Sequence, residues 1–347
     1  MDRRSLLKGV AAGAVAAPAA GLWTAQSAGA AAVNYPVAIC DQYTNRYLVH
    51  DRTANWDTAS PKWVFDPGNG RTPWDNPFEI RFRATQRYGT LALMTAGNPG
   101  SGAAGIVRVT GNGSRLGHGD LLWKDESIGT FPHSIERIPG NGSVVVACTH
   151  GAGADTGEIR VYAPSSSDVR TLKLVQRIYK TADLGKLVQP HGVLWDDQLN
   201  LLWVIGGTAL RTYQVTGSGR GTRLKKVGKE VDLKRGPDGR VWAGKHFGHD
   251  VQPDYSRPGS LVITDSNGVY RVDRNTRQKD NVHTASNRYA LVKSFVVHPS
   301  GQEMWTRDTN GDALPWGAPT VFFSSGGDRT KKRTQIYKAR IVTTRFH

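Results

Sequence analysis

The chain repeats one strand pattern. Short apolar segments open at "NPFEIRF", "PHSIERI", "PHGVLWD", "GHDVQPD" and "VKSFVVHPSGQ", spaced by about 58 residues and by about 44 at the last step. Each opening segment is followed by a polar turn and a hairpin partner: "TLALMTA", "SVVVAC", "NLLWVIGG", "SLVITD" and "QEMWTRD". A third strand comes next, as in "GIVRV", "EIRVYA", "LRTYQV", "VYRVD" and "TVFFSS", and outer strands such as "DLLWKD" and "LVQRIYK" complete some units. Helical periodicity is almost absent, and β-branched and aromatic runs alternate with Gly, Asn, Asp, Pro and Ser clusters. A recurring unit of this kind cannot bury both of its faces alone. It points to an all-β chain built as a β-propeller.

The N-terminal "VAICDQYTNRYLVHDR" supplies a hairpin with no inner strand before it, and "QIYKARIV" is left over at the C-terminus. Pairing the two completes a ring of six blades, closed by the C-terminal strand, with seven blades as the alternative. One β-propeller domain over residues 33–347 is expected.

Inner strands line the central channel, and their first residues meet at one mouth. The alignment of strand heads places Asn76, His133, His191, His249 and Lys293 there, with one residue of Tyr337, Lys338, Ala339 and Arg340. Three converging imidazoles have the donor type and number of an open metal site, for Mn, Ca or Zn, to which Asp250 or Gln252 could add oxygen. Without a metal they can serve as general acid and base. The structural alternative is that each histidine only bonds the backbone of a neighbouring blade. Lys293, Lys338 and Arg340 add fixed positive charge suited to a carboxylate, sulfate or phosphate. His133, His191, His249, Lys293 and Arg340 are therefore the catalytic candidates, and Asn76, Tyr337 and Lys338 the substrate-binding ones. The chain has no Gly-x-Ser-x-Gly elbow, Walker loop or His-Glu-x-x-His helix.

"MDRRSLLKG" followed by an uncharged Ala/Gly-rich stretch reads as a twin-arginine signal peptide over residues 1–32, which makes the protein secreted and extracellular. The formal charge of +16 suits an acidic polymer partner in that compartment. No nucleic acid or membrane partner is expected, and a monomer is. Cys40 and Cys148 fall in non-adjacent repeats, so two buried thiols are favoured over a disulfide.

The runs "ICDQYTNRYLVHD", "FPHSIE", "QPHGVLWD", "GHDVQP", "VKSFVVHPSGQ" and "IYKARIV" together resemble a family of secreted, actinobacterial-type β-propeller proteins of unassigned function. That resemblance implies the fold over the whole mature chain and no chemistry. More loosely, the strand heads are similar to those of lactonase-like and strictosidine-synthase-like propellers. The three-histidine pattern is similar to that of propeller-type oligogalacturonate lyases, which implies a metal held by His133, His191 and His249. The leading expectation is a polysaccharide lyase cleaving a uronate-containing glycan by β-elimination. The alternatives are a metal-dependent hydrolase or lactonase, and a non-catalytic protein that binds cell-wall or other acidic polymer.

Overall fold

The computed structural model describes residues 33–347 except 69–71, 112–113, 116–119, 151–156, 167, 180, 237, 245, 285–287 and 311–314. Residues 1–32, the segment read from the sequence as a signal peptide, lie outside the described residues.

Six antiparallel sheets form a ring, which is the six-bladed β-propeller expected from the repeat. Blade 1 runs outward in the order Ile336–Ile341, Pro36–Asp41, Arg46–Asp51, Trp63–Asp66. Blades 2 to 6 take their strands in chain order, with inner strands Pro77–Thr85, Phe131–Arg137, Pro190–Asp196, Gly248–Pro253 and Val292–Val297. The C-terminal strand closes the ring against the first strand, pairing Val37 with Ile341, Ala38 with Arg340 and Ile39 with Ala339.

Six hydrophobic clusters occupy the six blade-to-blade interfaces. Successive side chains of a strand point to opposite faces, so each blade feeds two of these clusters. Blade 4 shows it: Val193 joins the cluster shared with blade 3, and Leu194 joins the one shared with blade 5. Cys40 and Cys148 are free and buried in different clusters, as their spacing suggested.

An inner strand has one edge that no strand covers, and its buried N–H groups need acceptors. Side chains of the preceding blade supply them. Val193 N donates to Ser134 Oγ at 3.3 Å, Phe295 N to Asp250 Oδ2 at 3.4 Å, and Ala339 N to Ser294 Oγ at 3.1 Å. Blade 4 has Gly192 at this position, because a Cβ there would stand 3.2 Å from Val251 N and 2.8 Å from Ile205 Cγ2.

The far end of the channel is crossed by the C-terminal tail. Arg83 donates to Arg345 O at 3.1 Å, and its guanidinium lies 4.3 Å above the Phe346 ring. Phe346 packs on the cluster between blades 3 and 4, and His347 reaches Asp197 at 2.6 Å.

Candidate functional site

All six inner strands carry a β-bulge at the same level. Between flanking ladder partners one extra residue is set outside the pairing, Phe78, His133, His191, His249 and Lys293, and on the C-terminal strand Tyr337 and Lys338 together stand opposite Cys40. A bulge re-aims its side chain away from the regular alternation. The result is a run of neighbouring rings at the mouth from Tyr337 to His249. Ring centroids are 5.1 Å apart for Tyr337 and Phe78, 4.3 Å for Phe78 and His133, 4.4 Å for His133 and His191, and 5.3 Å for His191 and His249.

His133, His191, His249, Lys293 and Tyr337 therefore meet as the repeat predicts. Asn76 does not. It lies two residues before the bulge with φ at +52°, and its side chain donates to Asn98 Oδ1 in a polar turn. Phe78 holds its place. The "NPF" and "PH" heads align on proline rather than on the first polar residue, and that register would have identified Phe78.

The ring is packed rather than solvated, with exposures of 0% for Phe78, 2% for Tyr337, 3% for Lys293, 5% for His133 and 7% for His191 and His249. Phe131 and Trp316 join Phe78 and Tyr337 in an aromatic cluster on one side, and Phe247 covers His191 at 4.9 Å on the other. The sequence reading missed Phe78, Phe131, Trp316 and Phe247. Phe131 and Phe247 each stand two residues before a mouth histidine, a signal that was present in the repeat.

Two of the imidazoles are anchored in the same way. His133 Nδ1 lies 3.1 Å from Phe131 O, and His191 Nδ1 lies 2.7 Å from Gln189 O. A carbonyl only accepts, so Nδ1 carries the proton in both, and Nε2 holds the lone pair. His249 differs: its Nδ1 is buried without a partner, and its Nε2 has only a long contact to Ser266 Oγ at 3.4 Å. Burial is the main reason that all three resist protonation. It brings His191 down to about 3, with Lys338 and Lys293 acting in the same direction. His133 and His249 also sit well below the usual imidazole range, from burial and from neighbouring positive charge.

Lys338 and Arg340 sit one layer down, where they form the floor of the mouth. Arg340 binds two carboxylates through paired hydrogen bonds, all 2.8 Å long, to Glu79 and Asp250. Lys338 Nζ donates to His133 O at 3.1 Å and His191 O at 3.4 Å, and stands 3.4 Å from Glu79. Arg81 and Arg83 continue the network to Glu136. Burial would raise the Glu79 carboxyl, but Arg340, Lys338 and Arg81 outweigh it and hold Glu79 below the usual range. Burial lowers Lys338, and Glu79 and Asp250 oppose that.

The expected cationic mouth is thus corrected. The charge of Lys338 and Arg340 is spent on buried carboxylates, and Lys293 stands 3.8 Å from Asp308. Asp250 and Gln252, considered as oxygen ligands, belong to the same floor: Gln252 donates to Asp250 and accepts from Arg81.

A profile of a family of unknown function, DUF6528, matches residues 36–342. No curated protein matches the chain. Among solved structures, the Saccharomyces cerevisiae protein Sqt1 is 12% identical, with a TM-score of 0.43 over 86% of this chain and 67% of that one. A luciferin-regenerating enzyme is also 12% identical, with a TM-score of 0.46 over 91% of this chain and 93% of that one.

Proposed function

The chain belongs to DUF6528, a family of unknown function, so its activity has to be read from its own mouth. We propose that the mouth is the active site of an enzyme acting on an acidic sugar by β-elimination. The observation that carries this reading is the division of the ring. Blades 3 to 6 contribute three imidazoles and a lysine, while blades 1 and 2 contribute Tyr337 and Phe78 under Phe131 and Trp316. Trp316, the partly buried member of the aromatic half, offers a platform for the apolar face of a pyranose, and the nitrogen half offers groups for its carboxylate and acidic proton.

β-Elimination requires the carboxylate to be neutralised, a base for the proton beside it, and an acid for the leaving oxygen. With Arg340 and Lys338 committed to the floor, His133, His191 and His249 are the groups that would hold a divalent cation, which would supply neutralisation of the carboxylate. Lys293 follows His249 on the ring, and Tyr337, beyond Phe78, has its ring centroid 5.8 Å from that of His133; these are the groups for the two proton transfers. The overall charge of +16 and a twin-arginine-type start support a secreted protein that meets polyanionic glycans.

The test is a screen of the purified protein, with divalent metals present, on polygalacturonate, alginate and hyaluronan, each beside its carboxyl-reduced form. Lyase action gives products with an unsaturated, ultraviolet-absorbing end, and none from the reduced polymers. Saturated products would overturn β-elimination and assign a hydrolase. Binding without turnover would assign a glycan-binding protein.

A further inference from the structure

We propose that His133, His191 and His249 form an all-nitrogen site for a late first-row divalent ion (Zn²⁺, Cu²⁺ or Ni²⁺) and not for Ca²⁺ or Mn²⁺. The inference rests on the mouth being the functional site and is independent of the reaction assigned to it.

Donor chemistry carries the first step. Ca²⁺ and Mn²⁺ favour carboxylate, carbonyl and water oxygen, whereas imidazole suits Zn²⁺, Cu²⁺ and Ni²⁺. The carboxylates just beneath the ring, Glu79 and Asp250, are both saturated by Arg340, and Lys338 adds a further contact to each. These acidic oxygens just beneath the ring are therefore withheld from any ion at the mouth, and the nitrogens are not.

Geometry carries the second step. A metal-bound imidazole commonly donates its other ring N–H to a backbone carbonyl, which fixes tautomer and ring direction. Phe131 O and Gln189 O already do this for His133 and His191. With metal–nitrogen bonds of about 2.0–2.1 Å, two imidazoles on one ion hold their ring centroids roughly 4.5–5.2 Å apart for bond angles of about 90–110°. The observed separation of His133 and His191, 4.4 Å, stands at the short limit of that range, and that of His191 and His249, 5.3 Å, just beyond its long limit.

Among the described residues no three ligand-type side chains already converge on one point. His249 accounts for the gap. It is the unanchored ring, with one nitrogen orphaned and the other in a long contact to Ser266. His133 and His191 are thus the standing ligands, and His249 turns to complete the set. With Nδ1 of His133 and of His191 each turned to a backbone carbonyl, Nε2 is the nitrogen of each ring left to face an ion.

The experiment uses the untagged full chain, stripped with chelator and titrated calorimetrically with Zn²⁺, Cu²⁺, Ni²⁺, Ca²⁺ and Mn²⁺. One equivalent of each late ion should bind at least ~100-fold more tightly than Ca²⁺ or Mn²⁺. His133→Ala and His191→Ala should each weaken Zn²⁺ binding by about 10–100-fold, the scale of losing a ligand or its support. His249→Ala should weaken it less. Should these variants misfold, electron paramagnetic resonance of the Cu²⁺-loaded wild type decides, because coupling to three nitrogens is expected. Absence of stoichiometric binding, Ca²⁺ or Mn²⁺ binding as tight as Zn²⁺, or coupling to fewer than two nitrogens would overturn the site. Tight Zn²⁺ binding with no action on any acidic glycan overturns the proposed reaction alone, and glycan cleavage by the stripped protein overturns the metal alone.

Discussion

Arg340 shows how one side chain can be read correctly for its neighbourhood and wrongly for its role. Sequence spacing puts it near the mouth, but its charge serves Glu79 and Asp250, which no pattern in the chain pairs with it. Arg340→Ala should therefore act as a folding lesion. It takes the paired hydrogen bonds from two buried carboxylates and leaves them only the longer contacts of Lys338 and Arg81, at a cost of about 3–5 kcal/mol. Denaturant titration checks this, and full stability of the variant with selective loss of sugar binding would return Arg340 to the substrate.

His50 is a second buried residue whose chemistry needs the structure. It is 1% exposed, stacks on Trp56 at 5.3 Å, and both of its ring nitrogens lack partners. Burial, with Lys331 nearby, lowers its pKa from 6.5 to about 4. The unfolded chain then takes up a proton that the folded chain refuses. Stability is complete above the unfolded value and falls as pH drops from about 6.5 to about 4, by on the order of 3 kcal/mol. His50→Phe should make this acid limb shallower by the share of one histidine in melts taken across that pH window, with little loss at pH 7, the buried mouth histidines keeping the remainder. An unchanged acid limb would show that other groups set it.

At the scale of elements, the strands were legible because a period-2 apolar pattern bounded by turn residues survives in every blade. The bulge was not, because it changes which face a residue points to without changing composition. That is why Asn76 was taken for the mouth residue and Phe78 was passed over. The C-terminal tail was also silent, since "TTRFH" has no strand or helix pattern. Its contacts with Arg83, the blade 3–4 cluster and Asp197 make it a strap under three other blades. Deleting residues 343–347 should leave a folded protein destabilised by roughly 1–3 kcal/mol, the scale of one buried aromatic side chain. A melt indistinguishable from wild type would show that the tail only rests on the surface.

For the whole molecule, closure is the decisive property. Blade 1 takes its inner strand from the opposite end of the chain, so no blade is independent of the C-terminus. Truncation before Gln335 should abolish cooperative folding, because it uncovers the edge of Pro36–Asp41 and removes Arg340 from the floor. A synthetic peptide covering residues 335–347 should restore a cooperative melt in trans. A truncated chain that melts cooperatively without the peptide would refute closure. The ring itself could be inferred from repetition alone. The charge network at its centre could not, because each partner comes from a different blade and the repeat says nothing about which side chains meet across the axis.

The bulges give the mouth a grammar of its own. Each blade contributes one letter to a word that reads Tyr-Phe-His-His-His-Lys from blade 1 to blade 6, and each letter lies outside the backbone pairing that holds its blade together. A spelling change therefore need not disturb the page on which it is written. Phe78→His, for example, would extend the imidazole run to a fourth consecutive blade while leaving Pro77 and Glu79 on their partners Ala96 and Thr95. In a scaffold of this kind, chemistry can be rewritten one blade at a time, and two chains with the same architecture can speak to entirely different ligands.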